Sequence, residues 1–123
     1  MKLVYIAGPY RGKTEYETRC NILSAEKWAI RVFFAGGYAV CPHSNTAWLG
    51  GLVPDEAFID GGIELALRCD AMLLIPGWGS SDGAIREHDK ARSKGILTFR
   101  FDEFDKLMEW IDPLEAARRV GDW

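Results

Sequence analysis

The stretch AMLLIPGWGSSDGAIREH, residues 71–88, joins the most apolar run of the chain to a loop of small residues and then to the start of a helix. Ala71–Pro76 is continuously apolar, which is typical of a strand buried on both faces. Ser81 is the expected N-cap of a helix over Asp82–Lys94, which Gly95 ends. A buried strand that continues through a loop into a helix is one unit of a parallel α/β sheet.

The rest of the chain repeats this alternation. The pattern predicts three more strands, at Lys2–Ala7, Tyr38–Cys41 and Ile96–Phe101, and three more helices, at Glu15–Ala35, from about Asp55 to Cys69, and from Asp112-Pro113 through Arg119. We therefore predict an α/β fold of the Rossmann-like (flavodoxin-like) type, a three-layer sandwich with a mostly parallel sheet of four to five strands. The chain has 123 residues and no linker or repeat, so residues 1–123 are expected to form a single domain.

Composition excludes several classes of partner. The 15 basic and 18 acidic side chains give a net charge of −3 without a basic cluster, so no nucleic-acid partner is expected. The three cysteines form no CxxC pair, which predicts neither a disulfide framework nor a metal site and favours a reducing, cytoplasmic location. No apolar run is long enough for a signal peptide or a membrane span.

Ligands of open parallel sheets bind beyond the carboxyl ends of the strands, and here three loops follow those ends. The first, AGPYRGK, contains Gly8, Pro9, Tyr10, Arg11 and Gly12. It could cradle an anion through backbone N–H groups and the arginine, or it could be a tight turn with an exposed arginine. Neither a P-loop nor a GxGxxG pattern is present.

The second loop is predicted over His43–Asp55, and long loops in small domains are more often functional than idle. In it, His43 and Asn45 could hydrogen-bond a ligand, although a lone histidine is more often structural. The third loop, Pro76–Asp82, contains Trp78, whose ring could stack on a nucleobase.

Glu87 lies in the second turn of the helix that Ser81 begins. The helix dipole favours an ionised carboxylate there, and such a group could act as a nucleophile or stabilise a sugar cation. The alternative is an ordinary acid near a helix start. Asp60 or Glu64, four residues apart on one predicted helix face, could supply a second carboxylate, or both could simply be exposed.

Together these segments resemble the nucleoside 2-deoxyribosyltransferase superfamily, and within it a branch of small phage and bacterial proteins. Three segments carry the resemblance: YIAGPY at Tyr5–Tyr10, PHSNT at Pro42–Thr46, and RCDAMLLIPGWGSSDGAIRE at Arg68–Glu87. The superfamily's 2'-deoxynucleoside 5'-monophosphate N-hydrolases carry a similar glycine- and arginine-containing first loop and an SxGxxxE segment. Here that segment runs from Ser81 through Gly83 to Glu87.

The resemblance implies that Glu87 attacks C1' of a nucleotide or nucleoside and forms a glycosyl-enzyme intermediate. It further implies that Tyr5 or Tyr10 lies near the sugar, and that Arg11 and Ser81 favour a 5'-phosphate. The expected activity is that of an N-glycosidase or deoxyribosyltransferase without a cofactor.

One departure from the family pattern concerns the acid that assists departure of the base. Relatives usually carry an aspartate where this chain has Gly62, and Asp60 or Glu64 would have to replace it. The alternative function is therefore a catalytically weak or inactive nucleotide-binding protein, and a third is an interaction module. The resemblance also implies a homodimer or higher homo-oligomer, for which Trp28, Phe33 and Phe34 of the first helix would supply apolar surface.

Overall fold

The computed structural model of the protein describes residues 1–112, so the helix expected from Pro113 to Arg119 lies outside the described residues. In chain order the elements are β1 (Leu3–Ala7), α1 (Glu15–Phe34), β2 (Tyr38–Val40), α2 (Pro42–Thr46), α3 (Asp55–Ala66), β3 (Ala71–Leu74), α4 (Asp82–Ser93), β4 (Leu97–Arg100) and α5 (Phe104–Ile111). Short 3₁₀ helices at Trp78–Ser80 and Phe101–Glu103 follow β3 and β4.

The four strands form one all-parallel sheet in the order β2-β1-β3-β4. The predicted α/β fold, a Rossmann-like three-layer sandwich, is confirmed, with four strands. From β1 the chain first passes to β2 on one side, and β3 then pairs with β1 on the other side. This reversal of strand order puts a crevice beyond the carboxyl ends of β1 and β3, where ligands of such sheets bind.

Alternate residues of the central strands point to two separate cores. The core on the side of α1 and α5 contains Val4, Ile6, Leu73 and Ile75 from the sheet, with Ala25, Val32 and Leu107 from the helices. The core on the side of α3 and α4 contains Tyr5, Ala7, Met72 and Leu74, with Ala66 and Ala91. The uninterrupted apolar strands of the sequence therefore serve two helical layers at once.

Two helices begin at N-caps whose side chains accept a backbone hydrogen bond, and the sequence predicts the second of them. The Thr14 side chain accepts a hydrogen bond from the backbone N–H of Glu17 at the start of α1. Ser81 does the same for Ala84 at the start of α4, over 3.2 Å. Ser81 is thus the N-cap that the sequence predicts, and it fixes the direction from which α4 enters the crevice.

Two helices were not predicted. The segment interpreted as a loop from His43 to Asp55 begins instead with α2, because Pro42 occupies the first helical position, where its missing N–H is tolerated. The second is α5, whose Leu107 is completely buried against the α1 side of the sheet.

No helix among residues 1–112 combines the length and the apolar character needed to cross a membrane.

Candidate functional site

A cavity of about 470 Å³ opens at the crevice beyond β1 and β3. Its walls come from the loop after β1, from α2, from the first turns of α3, and from the start of α4. Of the residues predicted from sequence, nine line it: Tyr5, Gly8, Pro9, Tyr10, Arg11, His43, Ser81, Gly83 and Glu87. The fold therefore brings together side chains that are up to 82 residues apart in the sequence.

At the base of the cavity lies a buried pair, Glu87 on α4 and Tyr5 on β1. Glu87 is 9% exposed and Tyr5 is completely buried. The Tyr5 hydroxyl donates a short hydrogen bond to Oε2 of Glu87. Among residues 1–112, no group donates a hydrogen bond to the other carboxylate oxygen, Oε1. The pair therefore holds the carboxyl group in one orientation and leaves one oxygen available to a ligand.

Burial controls the protonation of this pair. It raises the pKa of Glu87 to about 7, although the hydrogen bond from Tyr5 lowers that pKa in part. The sequence predicts an ionised Glu87 from the helix dipole, but loss of solvation is the larger effect here. Burial and the neighbouring Glu87 also raise the pKa of Tyr5, so its hydroxyl stays protonated and remains a donor. Near neutral pH Glu87 is therefore present in both protonation states.

Gly62 on α3 lies directly against the pair. A Cβ atom at this position would come within 2.7 Å of the Tyr5 hydroxyl oxygen and within 3.0 Å of Oε2 of Glu87. No side chain fits there without movement of one of these groups. Gly62 is thus part of the site, and it lets the backbone of α3 close over the Tyr5–Glu87 pair.

Residues 2–99 match the model of a family described as a domain of unknown function, DUF4406. The chain belongs to this family. The match runs from β1 to residue 99 of β4 and includes every residue that lines the cavity. Comparison with curated proteins gives no significant match. The family description carries no activity, so the function of this DUF4406 protein is inferred from the chemistry of its site.

His43 ties α2 to the loop after β1. Its Nε2 lies 3.2 Å from the carbonyl oxygen of Gly8 and 3.0 Å from that of Pro9, so Nε2–H donates to these carbonyls. Burial lowers the pKa of His43, which keeps the ring neutral. Its Nδ1 is buried and has no partner among the described residues. His43 therefore shapes the first loop of the DUF4406 domain and also presents an unpaired acceptor.

Arg11 was expected to hold an anion, and the structure pairs it with Asp55. The guanidinium Nε and Nη2 donate to the two carboxylate oxygens of Asp55 over 3.0 and 2.8 Å. Both side chains are about half exposed and both line the cavity. This fork-like pair fixes the guanidinium at the rim, although Asp55 offsets part of the charge that a ligand would meet.

Three residues predicted for the site lie outside the cavity. Asp60 is exposed on α3, with its carboxylate 4.0 Å from the Arg86 guanidinium. Trp78 packs edge-on against His88, with ring centroids 4.9 Å apart. Asn45 is exposed on α2. A fourth, Gly12, lies on the far side of the loop and lines a neighbouring cavity, described below.

The sequence interpretation missed the wall that α3 contributes. Asp55, Phe58 and Ile59 all line the cavity, and the last two are half-buried. Ile59 and Phe58 precede Gly62 by three and four residues, and this spacing in the sequence places the three residues on one face of a helix. Among residues 1–112 no group of three or more His, Cys, Asp or Glu side chains is arranged to hold a metal ion.

Proposed function

We propose that this protein cleaves or transfers the N-glycosidic bond of a nucleotide or nucleoside, with Glu87 acting on the anomeric carbon. The observation that carries the proposal is the buried Glu87 carboxyl group, held by the Tyr5 hydroxyl at the base of a cavity of about 470 Å³. Small-molecule sites commonly enclose about 300–1,000 Å³, so the cavity is of the right size for a nucleotide.

In the proposed reaction, Oε1 of ionised Glu87 attacks C1' of the sugar. The C1'–O bond forms as the C1'–N bond breaks, and the bonding electron pair leaves on the base nitrogen, which takes up a proton from solvent. Water then attacks C1', loses a proton, and releases the Glu87 carboxylate. In transfer, a second base replaces the water. Direct attack by water, with Glu87 stabilising the sugar cation, would use the same residues.

The residues at the cavity rim support a phosphorylated substrate. The start of α4 opens onto the cavity through Ser81, Asp82 and Gly83, and the N-terminus of a helix is favourable for anions. Arg11 lines the same cavity and adds a positive charge, which the paired Asp55 carboxylate offsets in part. These features favour a 5'-phosphate and thus a nucleotide over a free nucleoside.

A second candidate is nucleotide binding without catalysis, which is favoured by the environment of Glu87. No other carboxylate of the described residues is hydrogen-bonded to Glu87, and Gly62 stands where the superfamily that the sequence resembles usually carries an aspartate. Asp60 and Glu64 instead lie in surface ion pairs with Arg86 and Arg68. In this alternative, protonated Glu87 would only hydrogen-bond the sugar.

We further propose a cytoplasmic homodimer or higher homo-oligomer. The outer face of α1 exposes Leu23, Ile30, Phe33 and Phe34, which supports association with a second copy. Trp28, also expected on this surface, packs instead against Phe104 of α5. All three cysteines are free thiols, in keeping with a reducing compartment. A sedimentation coefficient that fits a monomer at micromolar concentration would contradict the oligomer.

The activity is tested by incubating the protein with ribo- and deoxyribonucleotides and the matching nucleosides, and measuring free base by chromatography. We expect base release by the wild type and a loss of about a thousandfold in Glu87→Gln, since the amide cannot act as a nucleophile. Asp60→Asn is the matched control, because it removes an acid outside the cavity, and it should retain activity.

Each result separates the candidates. Binding without base release would favour the second candidate. Equal release by wild type and Glu87→Gln would exclude Glu87 as the nucleophile. Loss of release in Asp60→Asn would return Asp60 to the role of assisting acid, which its exposed position argues against.

A further inference from the structure

A second cavity, of about 950 Å³, adjoins the first on the other side of the loop after β1. It lies between the first turns of α1 and the segment from Ser44 to Gly50. Tyr10 and Arg11 line both cavities, so the two share one wall. A ligand that occupied both cavities would therefore pass over Arg11.

Basic side chains line the second cavity. Lys13 and Arg19 line it and are exposed, and neither forms an ion pair with a carboxylate of residues 1–112. Of the acids that also line it, Glu26 accepts a hydrogen bond from the Ser44 hydroxyl over 2.8 Å. Glu15 also lines the cavity and Arg11 is paired with Asp55, so Lys13 and Arg19 are the two cations that could meet a second phosphate group.

Trp48 gives this cavity an aromatic surface. Its side chain is 82% exposed, and its backbone has a φ of 71°, a left-handed conformation that is uncommon for residues other than glycine. The Arg19 guanidinium lies 5.8 Å from the centre of its ring. An exposed indole held on a strained backbone, beside a cation, is a suitable platform for stacking of a nucleobase.

We propose that the substrate is a dinucleoside pyrophosphate, that is, two nucleosides joined through their 5'-phosphates. This inference rests on the proposed function, which places one nucleoside in the first cavity with its phosphate near Arg11. The pyrophosphate then passes Arg11, and the second nucleoside lies in the second cavity. Lys13 and Arg19 face its phosphate, and its base stacks on Trp48.

The test compares the dissociation constants of a nucleoside monophosphate, the matching diphosphate and the dinucleoside pyrophosphate, measured by calorimetry. For wild type we expect the pyrophosphate to bind at least about tenfold more tightly than either smaller ligand, as stacking of one base contributes about that much. Trp48→Ala should lose about tenfold for the dinucleoside pyrophosphate alone. The double variant K13Q/R19Q should lose about tenfold for the dinucleoside pyrophosphate and also weaken binding of the diphosphate, whose second phosphate reaches the same cations, but not of the monophosphate. Neither change touches the first cavity.

Lys27→Gln is the matched control, since this exposed lysine of α1 lines neither cavity, and it should bind all three ligands as wild type does. Trp48→Phe should restore most of the affinity that Trp48→Ala loses. Equal affinity of the wild type for all three ligands, or equal weakening of all three by the variants, would overturn the inference while leaving the proposed function intact. If none of the three ligands binds, the inference fails, and the proposed function keeps only free nucleosides as substrates.

Discussion

The two faces of the sheet are built from neighbouring residues of the same strands, yet they differ in chemistry. On the α1 side, Val4 and Ile6 pack against Leu107 in a core without a titratable group among its fully buried members. On the α3 and α4 side, Tyr5 stands among equally buried apolar residues and meets Glu87.

Successive residues of a strand point to opposite faces of the sheet, so one face of β1 supplies an apolar core and the other face supplies part of the candidate site. Val4 and Ile6 lie in a purely apolar environment, whereas Tyr5 between them donates a buried hydrogen bond to a carboxyl group. Burying a carboxyl group opposes folding, because the charged form loses its solvation. The apolar core on the other face and the contact with Tyr5 offset that cost. The predictions below separate the two faces experimentally.

The largest effect is expected on the apolar face. Leu107→Ala removes a completely buried side chain of α5 and should lower the free energy of unfolding by about 2–5 kcal/mol, through lost burial and the cavity left behind. Urea unfolding measures this change. The folded fraction should still bind nucleotides with wild-type affinity, since Leu107 lines neither cavity. Weaker binding per folded molecule would show that the two faces are coupled.

A smaller, pH-dependent effect is expected from Glu87→Gln. Burial raises the pKa of Glu87 from 4.5 to about 7 in the folded protein. Between those pH values the folded state holds a proton that the unfolded state has released, so wild-type stability falls as pH rises. Glutamine does not titrate, so the variant's stability relative to wild type should rise by up to about 3 kcal/mol from pH 4.5 to 7 and then stay constant.

Urea unfolding at pH 5 and pH 8 measures this shift, with Asp60→Asn as the control for loss of an exposed acid. A stability difference between Glu87→Gln and wild type that does not change with pH would mean that Glu87 is not desolvated in the folded protein.

The smallest change in stability is expected on substitution of two adjacent glycines of α3, Gly61 and Gly62. Gly62→Ala should destabilise the protein by roughly 1–3 kcal/mol, because the new Cβ lies 2.7 Å from the Tyr5 hydroxyl and 3.0 Å from Glu87. Gly61→Ala is the matched control. Among residues 1–112, no atom outside the helix's own neighbouring backbone lies within 4 Å of the added Cβ, so Gly61→Ala should stabilise the helix by up to about 1 kcal/mol. The midpoint of thermal unfolding, measured for both variants, tests this difference. Equal shifts of the midpoint would show that Gly62 does not pack against the site.

Local signals in the sequence were sufficient for most of the fold. The apolar runs, the cap Ser81 and the glycines after the helices predict all four strands and the helices α1, α3 and α4. Two helices, α2 and α5, were not predicted, although the sequence carries signals for both. The segment after Pro42 was interpreted as a loop, although proline fits the first position of a helix. In α5, Phe104, Leu107 and Ile111 already show helical spacing.

The candidate site was only partly predictable, because some of its contacts join residues far apart in the chain. The loop rule for parallel sheets indicated the correct three segments. By contrast, the pairing of Arg11 with Asp55 spans 44 residues, and no local pattern marks it. The raised pKa of Glu87 follows from burial beneath α3, which depends on the packing at Gly62 rather than on the sequence around Glu87.

The central claim is that one buried carboxyl group, Glu87, attacks the sugar in its ionised form. The most direct measurement is the rate of base release by the wild type from pH 5 to pH 8. We predict a rate that rises about tenfold per pH unit below pH 7 and levels off above it, as the ionised fraction of Glu87 does. A rate that stays constant over this range, or the same rise in Glu87→Gln, would contradict the claim.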